Sequence, residues 1–156
     1  MNLRYFMASA AVALSLSAAP ALSHGLGVES AWTGATRVAG ENAAVYLTIV
    51  NDAFHVQYLL SAAAAVAQRV ELHQTDEISV MKRVEKIEIP LSDNLNMRQA
   101  GFHIMLIGLK RPLILGEKLP ITLKFGDGQV QQSSVTVSDD GPPIPAGKNP
   151  HDRARH

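Results

Sequence analysis

Short β-type segments separated by turn residues run through this chain and constrain its fold more than any other feature. The segments are five to eight residues long and rich in β-branched or apolar side chains: 45–50, 56–60, 84–89, 102–109, 119–125 and 130–137. Glycine, asparagine, aspartate and proline mark the turns between them. Roughly seven to nine short strands at this spacing predict an all-β fold, a Greek-key β-sandwich or barrel.

One segment does not fit that pattern. Residues 61–68 are rich in alanine, and their propensity alone favours helix. A helix of about eight residues would be marginal by itself. We therefore expect a loop or a helical turn between two strands here.

The two ends of the chain differ from the middle. Residues 1–23 combine a short positive start, a short apolar run and a small-residue exit, which is typical of a cleaved secretory signal peptide. Cleavage after Ala21 or after Ser23 would fit. Residues 24–138 form the predicted β-domain, and residues 139–156 have the proline, glycine and charge content of a flexible tail.

Composition excludes several classes of function. After residue 23, thirteen basic side chains face fourteen acidic ones, which argues against nucleic acid as a partner. No later apolar run is long enough to insert into a membrane. The chain has no cysteine, so a disulfide framework is excluded and a soft-metal site has to use methionine sulfur.

Four uncharged metal donors fall between His73 and Met105. His103 and Met105 are two residues apart in a predicted strand, so both side chains leave the same face of the sheet. His73 and Met81 flank the preceding loop, and 21 residues separate Met81 from His103. Thioether sulfur favours Cu(I), and imidazole suits several metals. If the strand ends meet, these residues predict a Cu(I) site.

Each of these residues also has an ordinary structural explanation. Methionine often fills irregular gaps in a core, and histidine is often a surface or hydrogen-bonded residue. The spacing of His103 and Met105 alone is therefore a weak indication. Methionine is scarce, however: only Met81, Met97 and Met105 follow residue 23, and two of the three fall in this pattern.

The region resembles the periplasmic copper chaperone A family, PCu(A)C. The resemblance rests on the order of His73, Met81, a 21-residue spacer and then His103-x-Met105. Flanking segments also resemble the family: 69–75, 84–90 and 101–110. The similarity extends over residues 31–137.

The resemblance implies a cupredoxin-like sandwich that binds Cu(I) through four ligands: His73, Met81, His103 and Met105. It implies a copper carrier without catalysis that works in the periplasm. The implied recipient is the binuclear copper centre of a haem-copper (cytochrome c) oxidase, or another assembly chaperone.

The loop before Met81 departs from the family. Members usually have a longer spacer at this point, whereas seven residues separate His73 from Met81 here. The shorter loop either leaves the site intact or holds Met81 short of the metal. The sequence after Met81 keeps the family register, which favours Met81 over Met97 as the ligand.

Three further histidines are candidate contacts for Cu(II). His151 and His156 lie in the predicted tail and could hold Cu(II) weakly. If cleavage follows Ser23, His24 becomes the N-terminus, and its amino group and imidazole could chelate copper. That arrangement would suit a copper-dependent oxidase.

Three functions follow from these observations. The favoured one is a copper carrier, because no catalytic serine, phosphate loop or H-E-x-x-H motif is recognisable. The second is a copper enzyme that uses His24. The third is a structural or interaction sandwich in which the histidines and methionines only pack.

Overall fold

The computed structural model describes residues 25–91, 93–139 and 141. Over these ranges the chain forms ten β-strands and no α-helix. The strands are β1 (Leu26–Thr33), β2 (Ala43–Asn51), β3 (Gln57–Ala63), β4 (Ala67–Thr75), β5 (Met81–Val84), β6 (Ile87–Ile89), β7 (Asn94–Asn96), β8 (Phe102–Leu109), β9 (Lys118–Phe125) and β10 (Val130–Val137). The all-β prediction is confirmed, with one strand more than the expected maximum.

The predicted signal peptide at residues 1–23 and nearly all of the predicted tail at 139–156 lie outside the described residues. Within the described ranges, no helix has the length and apolar character needed to cross a membrane.

The ten strands form one sheet in the order β5-β4-β8-β2-β1-β10-β9-β3-β6, with β7 paired to β2. Only three neighbouring pairs are consecutive in the chain: β1–β2, β4–β5 and β9–β10. β1 and β10 pair in parallel, and all other pairs are antiparallel. β3 contacts β4 from the opposite end of the order, so the sheet curls into a nearly closed barrel.

Alternating side chains fill the interior of this barrel. Along β2, every second residue is buried, as expected for a strand with one face on a core. The largest fully buried side chains include Leu47, Ile49, Leu59, Ile104, Leu106, Ile121, Leu123 and Phe125. Burial of one such side chain contributes roughly 1.5–3 kcal/mol. Ile104 and Leu106 thereby anchor β8 and leave His103 and Met105 on its other face.

The apolar run at 84–89 is divided between two strands and does not form one. Val84 ends β5, which pairs with β4 at one end of the sheet, and Ile87 begins β6, which pairs with β3 at the other. The two residues between them carry the chain over the seam where these two ends of the curled sheet come together. Ile87 and Ile89 are both fully buried, so burial of their side chains holds the second half of the run in β6.

The expectation of a loop or helical turn over residues 61–68 is largely wrong. Only Ala64–Val66 lie outside the strands, and they form the turn between β3 and β4. Ser61, Ala62 and Ala63 pair with β9, and Ala67 is buried at the start of β4. Pairing and burial in the barrel therefore override the helical propensity of alanine.

Ile104→Ala tests the anchoring of β8. The side chain is completely buried, so the substitution should lower the free energy of unfolding by about 2–5 kcal/mol. Chemical denaturation of the metal-free protein measures this loss. Ile114→Ala is the matched control, because Ile114 is 61% exposed and its truncation should change stability little. Equal losses in the two variants would contradict the assigned core.

Candidate metal centre

Two histidines face each other across a pair of antiparallel strands. The register of β4 and β8 places His73 directly opposite His103. Their ring centroids are 5.8 Å apart. The His103 residue is 2% exposed, and the His73 side chain is 14% exposed. β4 continues past His73 to Thr75, so His73 lies inside the strand and not at its end.

Each imidazole uses one nitrogen for a hydrogen bond to the protein. His73 Nε2 lies 2.9 Å from a carboxylate oxygen of Glu71, and His103 Nδ1 lies 3.2 Å from the carbonyl oxygen of Gly101. Both oxygens can only accept, so His73 Nε2 and His103 Nδ1 carry the protons. The other nitrogens, His73 Nδ1 and His103 Nε2, are buried and have no hydrogen-bond partner. Two lone pairs are therefore available to a metal ion.

Hydrogen bonding, nearby charges and burial shift the pKa values of Glu71 and His103. The hydrogen bond to His73 lowers the pKa of Glu71, and Arg69 and Arg83 lower it further. Arg69 Nε lies 3.0 Å from Glu71, and Arg83 lies 3.9 Å from it. Burial lowers the pKa of His103, which favours the neutral ring. A neutral His103 can offer a nitrogen lone pair to a metal ion, and an anionic Glu71 can accept the hydrogen bond from His73.

The two methionines lie on the same face of the sheet as the histidines. Met105 follows His103 by two residues and pairs with Glu71 on β4. Met81 is the first residue of β5 and pairs with Thr75, which follows His73 by two residues. Diagonal neighbours of this kind lie about 7–8 Å apart, within reach of long side chains. All four predicted ligands thus lie on β8, β4 and β5.

A tight hairpin loop sets the position of Met81. Five residues, 76–80, connect β4 to β5. Asp76 accepts hydrogen bonds from the backbone N–H groups of Ile78 and Val80, and its own N–H donates to the Val80 carbonyl. Ser79 adopts a left-handed conformation, with φ of 64°. With the shorter loop, Met81 remains in the sheet, paired to the strand that carries His73.

Aromatic side chains continue the row of imidazoles. The ring of Tyr46 on β2 is 6.1 Å from that of His103, and the ring of Trp32 on β1 is 4.9 Å from that of Tyr46. A one-residue bulge between Glu29 and Trp32 shifts the register of β1. Without it, Ala31 would stand opposite Tyr46, so the bulge places the indole ring beside the site.

The sequence analysis did not single out Glu71, Tyr46 or Trp32. Glu71 precedes His73 by two residues in β4, and side chains at that spacing leave the same face of a strand. The position of Tyr46 beside His103 depends on the pairing of β2 with β8, which residue patterns do not show. The bulge in β1 has no clear signal in the sequence.

The remaining candidate residues lie elsewhere or outside the described chain. Met97 is 6% exposed and belongs to the hydrophobic core. His24, His151 and His156 are outside the described residues. Among the described residues, no group of three or more His, Cys, Asp or Glu side chains is arranged to hold a metal ion.

The sequence matches the family model described as "Putative lipoprotein LpqE-like" over residues 26–137. It is 31% identical over 120 residues to the putative lipoprotein Lxx21020 of Leifsonia xyli subsp. xyli, covering 74% of this chain and 70% of that protein. It is 29% identical over 105 residues to RP573 of Rickettsia prowazekii, covering 65% of this chain and 58% of that protein.

Solved structures with the same fold include copper-binding domains. The copper-bound PCuAC domain from PmoF2 aligns with a TM-score of 0.63 and 22% identity, covering 72% of this chain and 92% of that domain. Cu(I)-loaded DR1885 from Deinococcus radiodurans aligns with a TM-score of 0.60 and 32% identity, covering 77% and 84%. These likenesses confirm the expected cupredoxin-like all-β fold.

Substitutions of Glu71 test the assigned imidazole tautomers. In the metal-free wild type we expect the Nε2–H form of His73 and the Nδ1–H form of His103, read from imidazole ¹⁵N chemical shifts. Glu71→Ala removes the acceptor and should give His73 a mixture of tautomers. Glu71→Gln keeps an accepting oxygen and should preserve the Nε2–H form.

His103 provides an internal control, because the Gly101 carbonyl holds its proton in both variants. An Nδ1–H form of His73 in the wild type would show that Nδ1 has no lone pair available to a metal ion.

Proposed function

The chain belongs to the LpqE-like lipoprotein family, and from this premise we propose that it is an exported copper chaperone that binds one Cu(I) ion. The observation that carries the proposal is the pair of buried imidazole nitrogens without partners, one on His73 and one on His103. A buried acceptor without a hydrogen bond costs about 1–3 kcal/mol, and a bound metal ion would remove that cost.

The proposed ligands are the two imidazoles and the thioethers of Met81 and Met105. A site with two soft sulfur donors and no anionic ligand favours Cu(I) over Cu(II) and over harder ions. Glu71 would not bind the ion itself. Its hydrogen bond would orient the His73 ring and increase its basicity, as carboxylates commonly do beside metal-bound histidine.

The similarity to DR1885 supports this assignment. That protein is 32% identical over an alignment covering 77% of this chain, and its structure was solved with Cu(I). The lipoprotein names of the matched family and of the Leifsonia relative support export, and we propose the periplasm as the working compartment.

The proposed role is carriage without catalysis. All four ligands belong to the protein, and none is charged, so the site can release its ion without a change of protonation at sulfur. We propose the binuclear copper centre of a haem-copper oxidase, or another assembly chaperone, as recipient. His24, His151 and His156 are proposed as weak secondary Cu(II) contacts only.

An anaerobic Cu(I) titration against a coloured chelator tests the ligand set. Wild type should bind one Cu(I) per chain, and both Met81→Leu and Met105→Leu should weaken binding by at least about tenfold. Substitution of a residue that only supports a metal ligand already reduces metal affinity by about 10–100-fold. Cu(II) affinity should fall much less in both variants, because the lost donor is soft.

Met97→Leu is the matched control, since it makes the same change in the core and should leave Cu(I) affinity unchanged. If Met97→Leu weakens Cu(I) binding as much as Met105→Leu does, the proposed ligand set is wrong. If the wild type fails to bind Cu(I), the chaperone proposal fails.

A further inference from the structure

The four proposed ligands differ widely in their access to solvent. His103 is 2% exposed, the His73 side chain is 14% exposed, and Met105 is partly buried. Met81 is 49% exposed. A donor group that arrives from solution can therefore reach the position of Met81 more easily than that of any other ligand.

The residues around the four proposed ligands cover the other sides of the site more than the side of the β4–β5 hairpin. On the β2 side, Tyr46 lies beside His103, and Trp32 lies beyond it. Ile104 and Leu106 fill the space beneath β8 on the core side. Met81 begins β5, which ends the strand order and, among the described strands, pairs only with β4. On the hairpin side, the described residues leave Met81 about half exposed.

The proposed ligands also differ in how firmly the protein holds them. Glu71 and the Gly101 carbonyl each fix one imidazole ring through a hydrogen bond. Met105 lies in the middle of an eight-residue strand that is paired on both sides. Met81 begins a four-residue strand that, among the described strands, pairs only with β4, so its backbone has the least support from the sheet.

We propose that copper enters and leaves through the β4–β5 hairpin side, with Met81 as the ligand that is exchanged first. This inference rests on the proposed function. A sulfur donor of the acceptor protein would form a bond to Cu(I) as the bond to the Met81 sulfur breaks. The ion remains Cu(I), no proton moves at the methionine, and His73, His103 and Met105 hold the ion until the next exchange.

Charge placed beside the exit should change the rate at which an anionic chelator removes copper. Ile78 is 81% exposed in the hairpin loop, two residues before the exposed Val80. Ile78→Lys should attract bicinchoninate, and Ile78→Glu should repel it. We expect the two removal rates, measured by anaerobic stopped flow at about 0.1 M salt, to differ by about threefold or more, because local charge steers charged ligands.

Two further positions serve as controls. Gln99 lines a pocket with Trp32 and so marks the opposite side of the site. Val130 is 63% exposed and lies on β10, six residues before Thr136. Thr136 is the residue that pairs with Trp32. That separation is about 20 Å along the strand, beyond the screening length of roughly 10 Å at 0.1 M salt.

The Lys and Glu variants at Gln99 and Val130 should give rate ratios near one. The ratio at Ile78 should shrink with added salt, while Cu(I) affinity stays unchanged in all six variants. A larger ratio at Gln99 than at Ile78, or equal ratios at all three positions, would overturn the exit route. Those results leave the chaperone proposal standing, whereas a wild type that binds no Cu(I) overturns both.

Discussion

The antiparallel pairing of β4 with β8 is the constraint on which the site depends. It places His73 opposite His103 and Glu71 opposite Met105. Because side chains alternate between the faces of a strand, a slip of one residue would turn His73 away from His103. Leu72 and Ile104, which are paired and buried on the core side, make such a slip unfavourable. The hydrophobic core thereby fixes the register of the polar face.

Local hydrogen bonds explain how each of the two imidazoles keeps one nitrogen without a partner. Each ring donates its N–H to an oxygen two residues earlier in the chain. His73 donates to the Glu71 carboxylate, and His103 donates to the Gly101 carbonyl. Burial then disfavours a second proton on His103. One nitrogen of each ring, Nδ1 of His73 and Nε2 of His103, is left buried without a hydrogen-bond partner. Such nitrogens suit several metal ions, and it is the proposed thioether ligands that would favour a soft one.

Much of the fold could be predicted from residue patterns. The segments at 102–109 and 130–137 coincide with β8 and β10, because their composition and their turns agree. The division of 84–89 between opposite ends of the sheet could not be predicted, since local composition says nothing about which strands pair. The prediction for the alanine-rich segment was wrong for the same reason, because pairing with β9 holds residues 61–63 in a strand.

The geometry of the site could likewise be predicted only in part from the sequence. The spacing of His103 and Met105 places both on one face in any strand, so their proximity follows from the sequence. The contact between His73 and His103 needs the β4–β8 register, and the place of Met81 needs the hairpin that Asp76 closes. Glu71 could have been proposed from its spacing to His73. Tyr46 and Trp32 could not, because their positions depend on a long-range pairing and a bulge.

The central claim is that one ion is held by two imidazoles and two thioethers. X-ray absorption at the copper edge of the Cu(I)-loaded protein tests it most directly, because nitrogen and sulfur neighbours scatter differently. The account predicts a first shell of two nitrogens and two sulfurs, with one sulfur lost in Met81→Leu. A shell without sulfur, or one unchanged in that variant, would contradict it.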